Sequence, residues 1–372
     1  MKKIALAATA AAAALALGLT GCSSERGGGA PAASGGSEAP AGFEEGARIG
    51  VALPDKTSEN WVLAGDLFTQ GLEDAGFQAD VQYAPASNTV AEQQNQIQAM
   101  VTSGAKVIVI GAKDGKQLST QVEAAKDAGA YVIAYDRLIE NTEAVDYYVA
   151  FDNFKVGELQ GQALLEGLEA NAGHEAPYNI ELFSGSPDDA NSAVFFDGAM
   201  SVLQPKIDDG TLVVASGQTE IAQTATQGWL AENAQERMDG LLTSTYGDKE
   251  LDGVLSPNDT LARAILTSVD QAGKKQPVVT GQDSEVESVR WIMEDRQYST
   301  INKDTALLVE QTIKMVGQLQ KGEEVDVNDT EQYDNGVKVV PAYLLEPVIV
   351  TKDNAAEAYA NVPSLLEIVE SY

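Results

Sequence analysis

GAKVIVIGAKDGKQLSTQVEAAKDAGAYVIAYDR, residues 104–137, is the stretch that decides the fold. It opens on a short Val/Ile run, 106–110, and closes on a second one rich in Val, Ile and Tyr, 131–135. Between them 115–128 has the length and composition of a helix, and Gly129 follows where a helix C-cap belongs. Val107 to Ile110 is apolar without alternation, so that strand is expected to be buried on both faces, in a parallel sheet covered by helices. Working outward, the same alternation holds almost throughout. Strands are expected at 48–53 and 79–83, with helices at 60–75 and 90–103. The pattern restarts with strand 178–183, helix 191–203, strand 212–215, helix 231–242, strand 253–255, helix 261–272 and strand 277–280. Neither half carries a dinucleotide GxGxxG. The chain of 372 residues is too long for one ordinary domain and suits two similar lobes. The fold class read here is α/β, two doubly wound parallel-sheet lobes.

In open α/β sheets ligands bind outside the carboxyl ends of the strands. Those ends read Asp136-Arg137, Asp152-Asn153, Ser186-Pro187-Asp188-Asp189-Ala190-Asn191, Ser256-Pro257-Asn258-Asp259 and Gly281-Gln282-Asp283. Facing lobes would aim these carboxylates, amides and one guanidinium at a common cleft. Neutral polyols suit that chemistry, because a hydroxyl donates to carboxylates and accepts from Arg, Lys and Asn. Trp61 and Trp229 could cover the apolar faces of a sugar ring. Asp152, Asn153 and Asp188 read instead as helix caps. His174 reads as a solvated loop residue. Asp208-Asp209-Gly210 and Asn328-Asp329 lack the spacing of a calcium loop and read as turns.

Charge and composition remove other classes. Lys plus Arg total 24 and Asp plus Glu 56, a net charge of −32. Such a chain repels nucleic-acid phosphates, so no nucleic-acid partner is expected. One cysteine and one histidine exclude a disulfide framework and leave no metal cage, zinc or iron–sulfur. Lys2 and Lys3 precede 15 apolar or small residues, 4–18, the pattern of an export signal rather than of a membrane span of about 20 residues. The run ends in Leu19-Thr20-Gly21-Cys22, which resembles the lipobox of bacterial lipoproteins. The expectation is a signal peptide over 1–21, a lipid-modified Cys22 and a tether over 22–46. Of residues 23–42, 17 of 20 are Ser, Gly, Ala or Pro, too few apolar groups to build a core.

The body, about residues 48–350, resembles the sugar-binding proteins of ABC importers, in the branch that includes xylose-binding and multiple-monosaccharide-binding proteins. The resemblance rests on Tyr135-Asp136-Arg137-Leu138-Ile139, Phe151-Asp152-Asn153, Val156-Gly157-Glu158-Leu159-Gln160, Gly185-Ser186-Pro187-Asp188-Asp189, Gly281-Gln282-Asp283 and the run 335–345. It implies a type I periplasmic binding protein fold with three crossings between lobes, near 150–153, 301–303 and 335–339. The first lobe would comprise 47–150 and 303–335, the second 151–302 and 336–372. Carried over by position, the ligand shell would be Trp61, Asp136, Arg137, Asp189, Asn191, Trp229, Asn258, Asp259, Asp283 and Lys303. Two positions depart from the family pattern: Asn60 stands where an arginine usually precedes the first tryptophan, and Ala190 precedes Asn191 where the family often has Asn-Asn. The resemblance implies a monosaccharide ligand of the xylose, glucose, galactose or arabinose type, an ABC permease partner, hinge closure, a monomer, and neither cofactor, metal nor catalysis. It places the protein outside the cytoplasm, anchored at the outer face of the cell membrane or periplasmic. A sugar sensor shares the same features; a glycosidase would need two cleft carboxylates in acid and base roles.

Cys22→Ala is expected to release the protein from the membrane and leave ligand binding intact. Retention in the membrane fraction after a salt wash would refute the lipobox reading.

Overall fold

The structure, a computed structural model, describes residues 42–372 except 57 and 86–89. The expected leader, Cys22 and the tether as far as residue 41 lie outside the described residues. The end of the expected tether belongs to the body. The Phe43 N–H donates to Gln320 O at 3.0 Å, and its ring lies 6.5 Å from that of Phe77. The Phe43 ring packs against the first-lobe core even though a Gly/Ala/Ser/Pro run precedes it.

From there β1 (Arg48–Leu53), α1 (Glu59–Asp74), β2 (Gln78–Tyr83), α2 (Val90–Thr102), β3 (Val107–Ile110), α3 (Ser119–Asp127), β4 (Tyr131–Tyr135) and β5 (Tyr147–Phe151) follow in order. The chain then leaves the first sheet for α4 (Asn153–Asn171), β6 (Tyr178–Leu182), α5 (Asn191–Asp208), β7 (Leu212–Val214), α6 (Ile221–Thr224), α7 (Ala231–Ser244), β8 (Gly253–Leu255), α8 (Asp259–Gln271), β9 (Val278–Val279), α9 (Val286–Met293) and β10 (Ser299–Asn302). It returns with α10 (Thr305–Lys321) and β11 (Ala342–Leu345), and leaves again for β12 (Val348–Thr351), α11 (Ala355–Ala358) and α12 (Pro363–Glu370). The helix expected over 115–128 is split. Asp114 accepts from the Lys116 N–H and closes a 3₁₀ turn at Gly115–Gln117, and α3 starts only at Ser119.

The first sheet runs β11-β5-β4-β3-β1-β2 and the second β7-β6-β8-β9, every pair in both parallel. β10 and β12 pair antiparallel as a separate ribbon. β3 shows why the sheet is covered twice. Val107 and Val109 join one core layer, Ile108 and Ile110 the other, and all four are fully buried. Strand order reverses between β1 and β3 in the first sheet and between β6 and β8 in the second, the positions at which open α/β sheets bind ligands.

The chain thus changes lobes three times, after β5, after β10 and after β11. The third change is not at 335–339, and residues 336–345 do not belong to the second lobe. Ala342–Leu345 pairs in register with 148–151 of β5 as the edge of the first sheet, so the crossing falls at 346–347. The Asn335 amide explains why the preceding run stays behind: it donates to Ile139 O and Thr142 O, both of the first lobe, at 3.2 and 2.8 Å.

The capping readings divide. Asp152 is the N-cap of α4 and accepts from the Lys155 N–H at 3.0 Å. Asn153 is the first residue of that helix, buried, with its amide donating to the Tyr148 hydroxyl at 3.2 Å. Asp188 caps nothing: Ala190 is the N-cap of α5 without a side-chain bond, and the Asp188 carboxylate accepts from Ser186 Oγ and Gln227 Nε2. His174 is not merely solvated, since Nε2 lies 2.9 Å from Asp252 Oδ1 and Nδ1 2.8 Å from Glu175 O. Removing the cap, Asp152→Ala, is expected to lower stability by about 1 kcal/mol in a thermal melt. An unchanged melting temperature would show that the α4 start is held by packing alone.

Candidate functional site

A cavity of about 430 Å³ lies between the two sheets, where the strand ends of both lobes converge. That is within the range of small-ligand sites. The segment after β1 supplies Trp61; the end of β4 supplies Asp136 and Arg137; the β6–α5 segment supplies Asp189 and Asn191; the β8 end supplies Asn258, the β9 end Asp283, and the second crossing Lys303. Trp229 comes from the segment between α6 and α7. Nine of the ten expected ligand-shell residues line this cavity. Asp259 does not, and is fully buried. Asn258 caps α8 from an extended backbone by accepting from the Leu261 N–H, and Asp259, the first residue of the helix, turns away from the cavity. Its carboxylate accepts from Gln297 Nε2 at 2.8 Å, Thr300 Oγ1 at 2.9 Å and the Glu285 N–H at 2.9 Å. Burial, then the charges of Glu285 and Asp283, push its pKa well above the carboxylate range. It is a scaffold residue of the second lobe.

The lining groups are arranged as ion pairs across the cleft. Arg137 Nε, from the first lobe, lies 3.1 Å from Oδ2 of Asp189 in the second, and Trp229 Nε1–H donates to that same oxygen at 3.2 Å. Asp189 Oδ1 accepts from the Asn191 N–H at 3.0 Å. Burial raises the Asp189 pKa against the opposing pull of Arg137, while Asp136 adds to the rise. Lys303 Nζ is 3.0 Å from Asp283 Oδ1 and 4.0 Å from Asp136 Oδ1. Burial alone would lower a lysine, but Asp283, Asp136 and Asp189 outweigh it and its pKa is raised. The Asn191 amide spans the lobes to Asp136 O at 2.7 Å.

The backbone itself is bent toward the cavity. Asp136, Trp229 and Asp283 all have positive φ, of 61°, 55° and 97°. For a residue as bulky as tryptophan this is costly, about 1–3 kcal/mol, and is held only by its surroundings. Each tryptophan ring rests on a strand-end glycine. A Cβ at Gly111 would come 2.9 Å from Trp61 Cζ3, and one at Gly185 would overlap the Trp229 ring and meet Ser192 Oγ at 2.5 Å.

Three consecutive residues at the start of α1 reach the other lobe at the cavity rim. Ser58 Oγ donates to Glu285 Oε1 at 3.4 Å, and the Asn60 amide to Asp283 O at 3.2 Å. The Val286 N–H donates to Glu59 Oε2 at 3.1 Å, so the first turn of α9, whose own N-cap makes no side-chain bond, takes its acceptor from the opposite lobe. Asn60 therefore uses its amide on the protein.

Several lining residues are not visible in the strand-end reading. Phe151, Phe195 and Leu308 give apolar wall, and Asp55 and Lys113 form a 2.9 Å ion pair. Phe195 had a signal: it lies four residues after Asn191 on one helix and shares its face. Leu308 and Lys113 had none, since their approach depends on the crossing and on the β3 turn.

Two lobes of parallel sheet joined by three crossings, with polar strand ends around the space between them, define a class of binding protein. Residues 49–324 match the family model described as the periplasmic binding protein domain, and the chain belongs to that family. It is a binding protein rather than an enzyme, with an extracytoplasmic place of action. Among curated relatives, the chain is 49% identical over 321 residues to the multiple sugar-binding periplasmic receptor ChvE of Rhizobium radiobacter, covering 85% of this chain and 90% of that one. It is 34% identical over 308 residues to the D-xylose-binding periplasmic protein of Escherichia coli K12, covering 82% and 87%. Among solved structures, an ABC transporter solute-binding protein from Clostridium phytofermentans with bound β-D-glucose superposes with a TM-score of 0.81 at 42% identity, over 86% of this chain and 99% of that one.

Gly185→Val is expected to unseat Trp229, cost about 1–3 kcal/mol of stability and weaken ligand binding. A variant with parental melting temperature and affinity would show that the ring has another resting place.

Proposed function

We propose that the protein captures a monosaccharide of the xylose, glucose, galactose or arabinose kind and delivers it, from a lipid anchor at Cys22, to an ABC permease. The observation that carries this reading is the composition of the cavity wall. Two indole rings are set among carboxylates, amides, a guanidinium and two ammonium groups that converge from both lobes. The rings offer apolar area to the C–H faces of a pyranose. The Asp136, Asp189 and Asp283 carboxylates accept from hydroxyls. Arg137 and Lys303 donate, and charge-assisted bonds of this kind contribute about 1.5–3 kcal/mol each. The relatives point the same way: one is named for several sugars, one for xylose, and one holds glucose.

The cross-cleft ion pairs and the bonds from Ser58, Glu59 and Asn60 support closure of the lobes over the ligand about the three crossings, a hinge transition. The word receptor in one relative's name favours a second role, in which the closed form is presented to a sensor; both roles share the binding step.

A calorimetric titration against pentoses and hexoses, with scattering before and after saturation, tests the reading. One sugar of the panel should bind, and the radius of gyration should fall. Asp283→Ala and Arg137→Ala should each weaken that binding by roughly 2–4 kcal/mol, about 30- to 1000-fold. Asp259→Ala should act differently and lower the melting temperature without ligand, because it opens a buried network. If Asp283→Ala binds within threefold of the parent, the residue is outside the ligand shell.

A further inference from the structure

The cavity carries an excess of negative charge, and part of that excess falls where a ligand would sit. Among the described residues, six carboxylates line it against three cations. All three cations are already engaged: Lys113 with Asp55 at 2.9 Å, Arg137 with Asp189 at 3.1 Å, and Lys303 with Asp283 at 3.0 Å. At the centre, three carboxylates, Asp136, Asp189 and Asp283, face only Arg137 and Lys303. Asp136 is the least closely paired of the three. Its nearest cation is Lys303 at 4.0 Å, already closer to Asp283, and its side chain is the most exposed of the three, at 23%. The cations are themselves largely out of water, Lys303 at 11% and Arg137 at 14% side-chain exposure, so water screens the surplus poorly. A concave site with low-dielectric walls focuses such a field onto its contents.

We propose that the cavity is a charge filter: it accepts uncharged monosaccharides and rejects those carrying a carboxylate or phosphate, with Asp136 as the residue that sets the rejection. Hydroxyls satisfy the surplus carboxylate by donating to it. A carboxylate has no proton to give, finds no unpaired cation among the described residues of the cavity wall, and meets a like charge instead. Asn60 adds nothing to the balance, since its amide is neutral and spent on Asp283 O.

The inference rests on the proposed sugar site and is tested with an isosteric pair. D-glucuronamide and D-glucuronate differ in charge and hardly in shape. Both are titrated into the full chain, beside D-glucose, D-xylose, D-galactose and L-arabinose, at pH 7 and constant ionic strength. At least one neutral sugar should bind, and glucuronate should bind about 30-fold or more weakly than glucuronamide. In Asp136→Asn that ratio should shrink by about tenfold. Asparagine tolerates the positive φ of this position as well as aspartate does, so the variant tests charge rather than backbone. Glucuronate binding within threefold of glucuronamide would overturn the filter while leaving the sugar site standing. An unchanged ratio in Asp136→Asn would remove Asp136 from it. A panel in which no neutral sugar binds would overturn the sugar reading and the filter with it.

Discussion

The ammonium of Lys303 is the constraint on which the rest of the site depends. It sits in the crossing between β10 and α10, almost out of water, and a charge taken out of water must be paired or it becomes very costly. Its partners come from both lobes: Asp283 at the end of β9 and Asp136 at the end of β4. One side chain therefore ties the crossing, the two sheets and the cavity together. The lobes can meet in this arrangement because each brings a carboxylate to a cation that neither sheet holds alone. Arg137 and Asp189 repeat the device on the other side of the cavity.

Behind these groups stands a second set of charges that never reaches the cavity. Glu285 is held by Arg263 Nη2 at 2.5 Å and by Thr260, and Asp259 by Gln297 and Thr300. Both carboxylates are raised in pKa, mainly by burial. Their work is to hold the segment from Gly281 to Val286 in a conformation that includes two consecutive positive φ values, at Asp283 and Ser284. The Asp283 carboxylate faces the ligand space because the residues around it are pinned from behind.

Neighbours in sequence can have opposite duties for this reason. Asn258 and Asp259 are equally plausible as sugar contacts on a strand-end motif, yet one lines the cavity and the other is sealed beneath it. Asp188 reads as a cap and its neighbour Asp189 as a sugar contact, yet neither takes the N-cap of α5: Asp189 pairs with Arg137, and Asp188 bonds to Ser186 and Gln227. In a turn or at a helix start adjacent side chains point in different directions, and the motif alone does not say which. The third crossing was hidden for a related cause. The run 335–345 mixes polar and apolar residues and resembles a connector. Only its pairing with β5 shows that its last four residues finish the first sheet.

What the sequence by itself determined is local in origin: the alternation of strand and helix, the double burial of 107–110, the glycine punctuation, and the strand ends at which polar residues gather. These follow from periodicity and turn chemistry, which act within a few residues. The tertiary structure alone decided which strand ends face one another, that Lys303 is shared by two lobes, that Gly111 and Gly185 are the seats of two tryptophan rings, and that Glu59 caps a helix of the opposite lobe. Each of these joins residues tens to hundreds of positions apart. Their energies come from desolvated charge and close packing, which exist only after the lobes have come together.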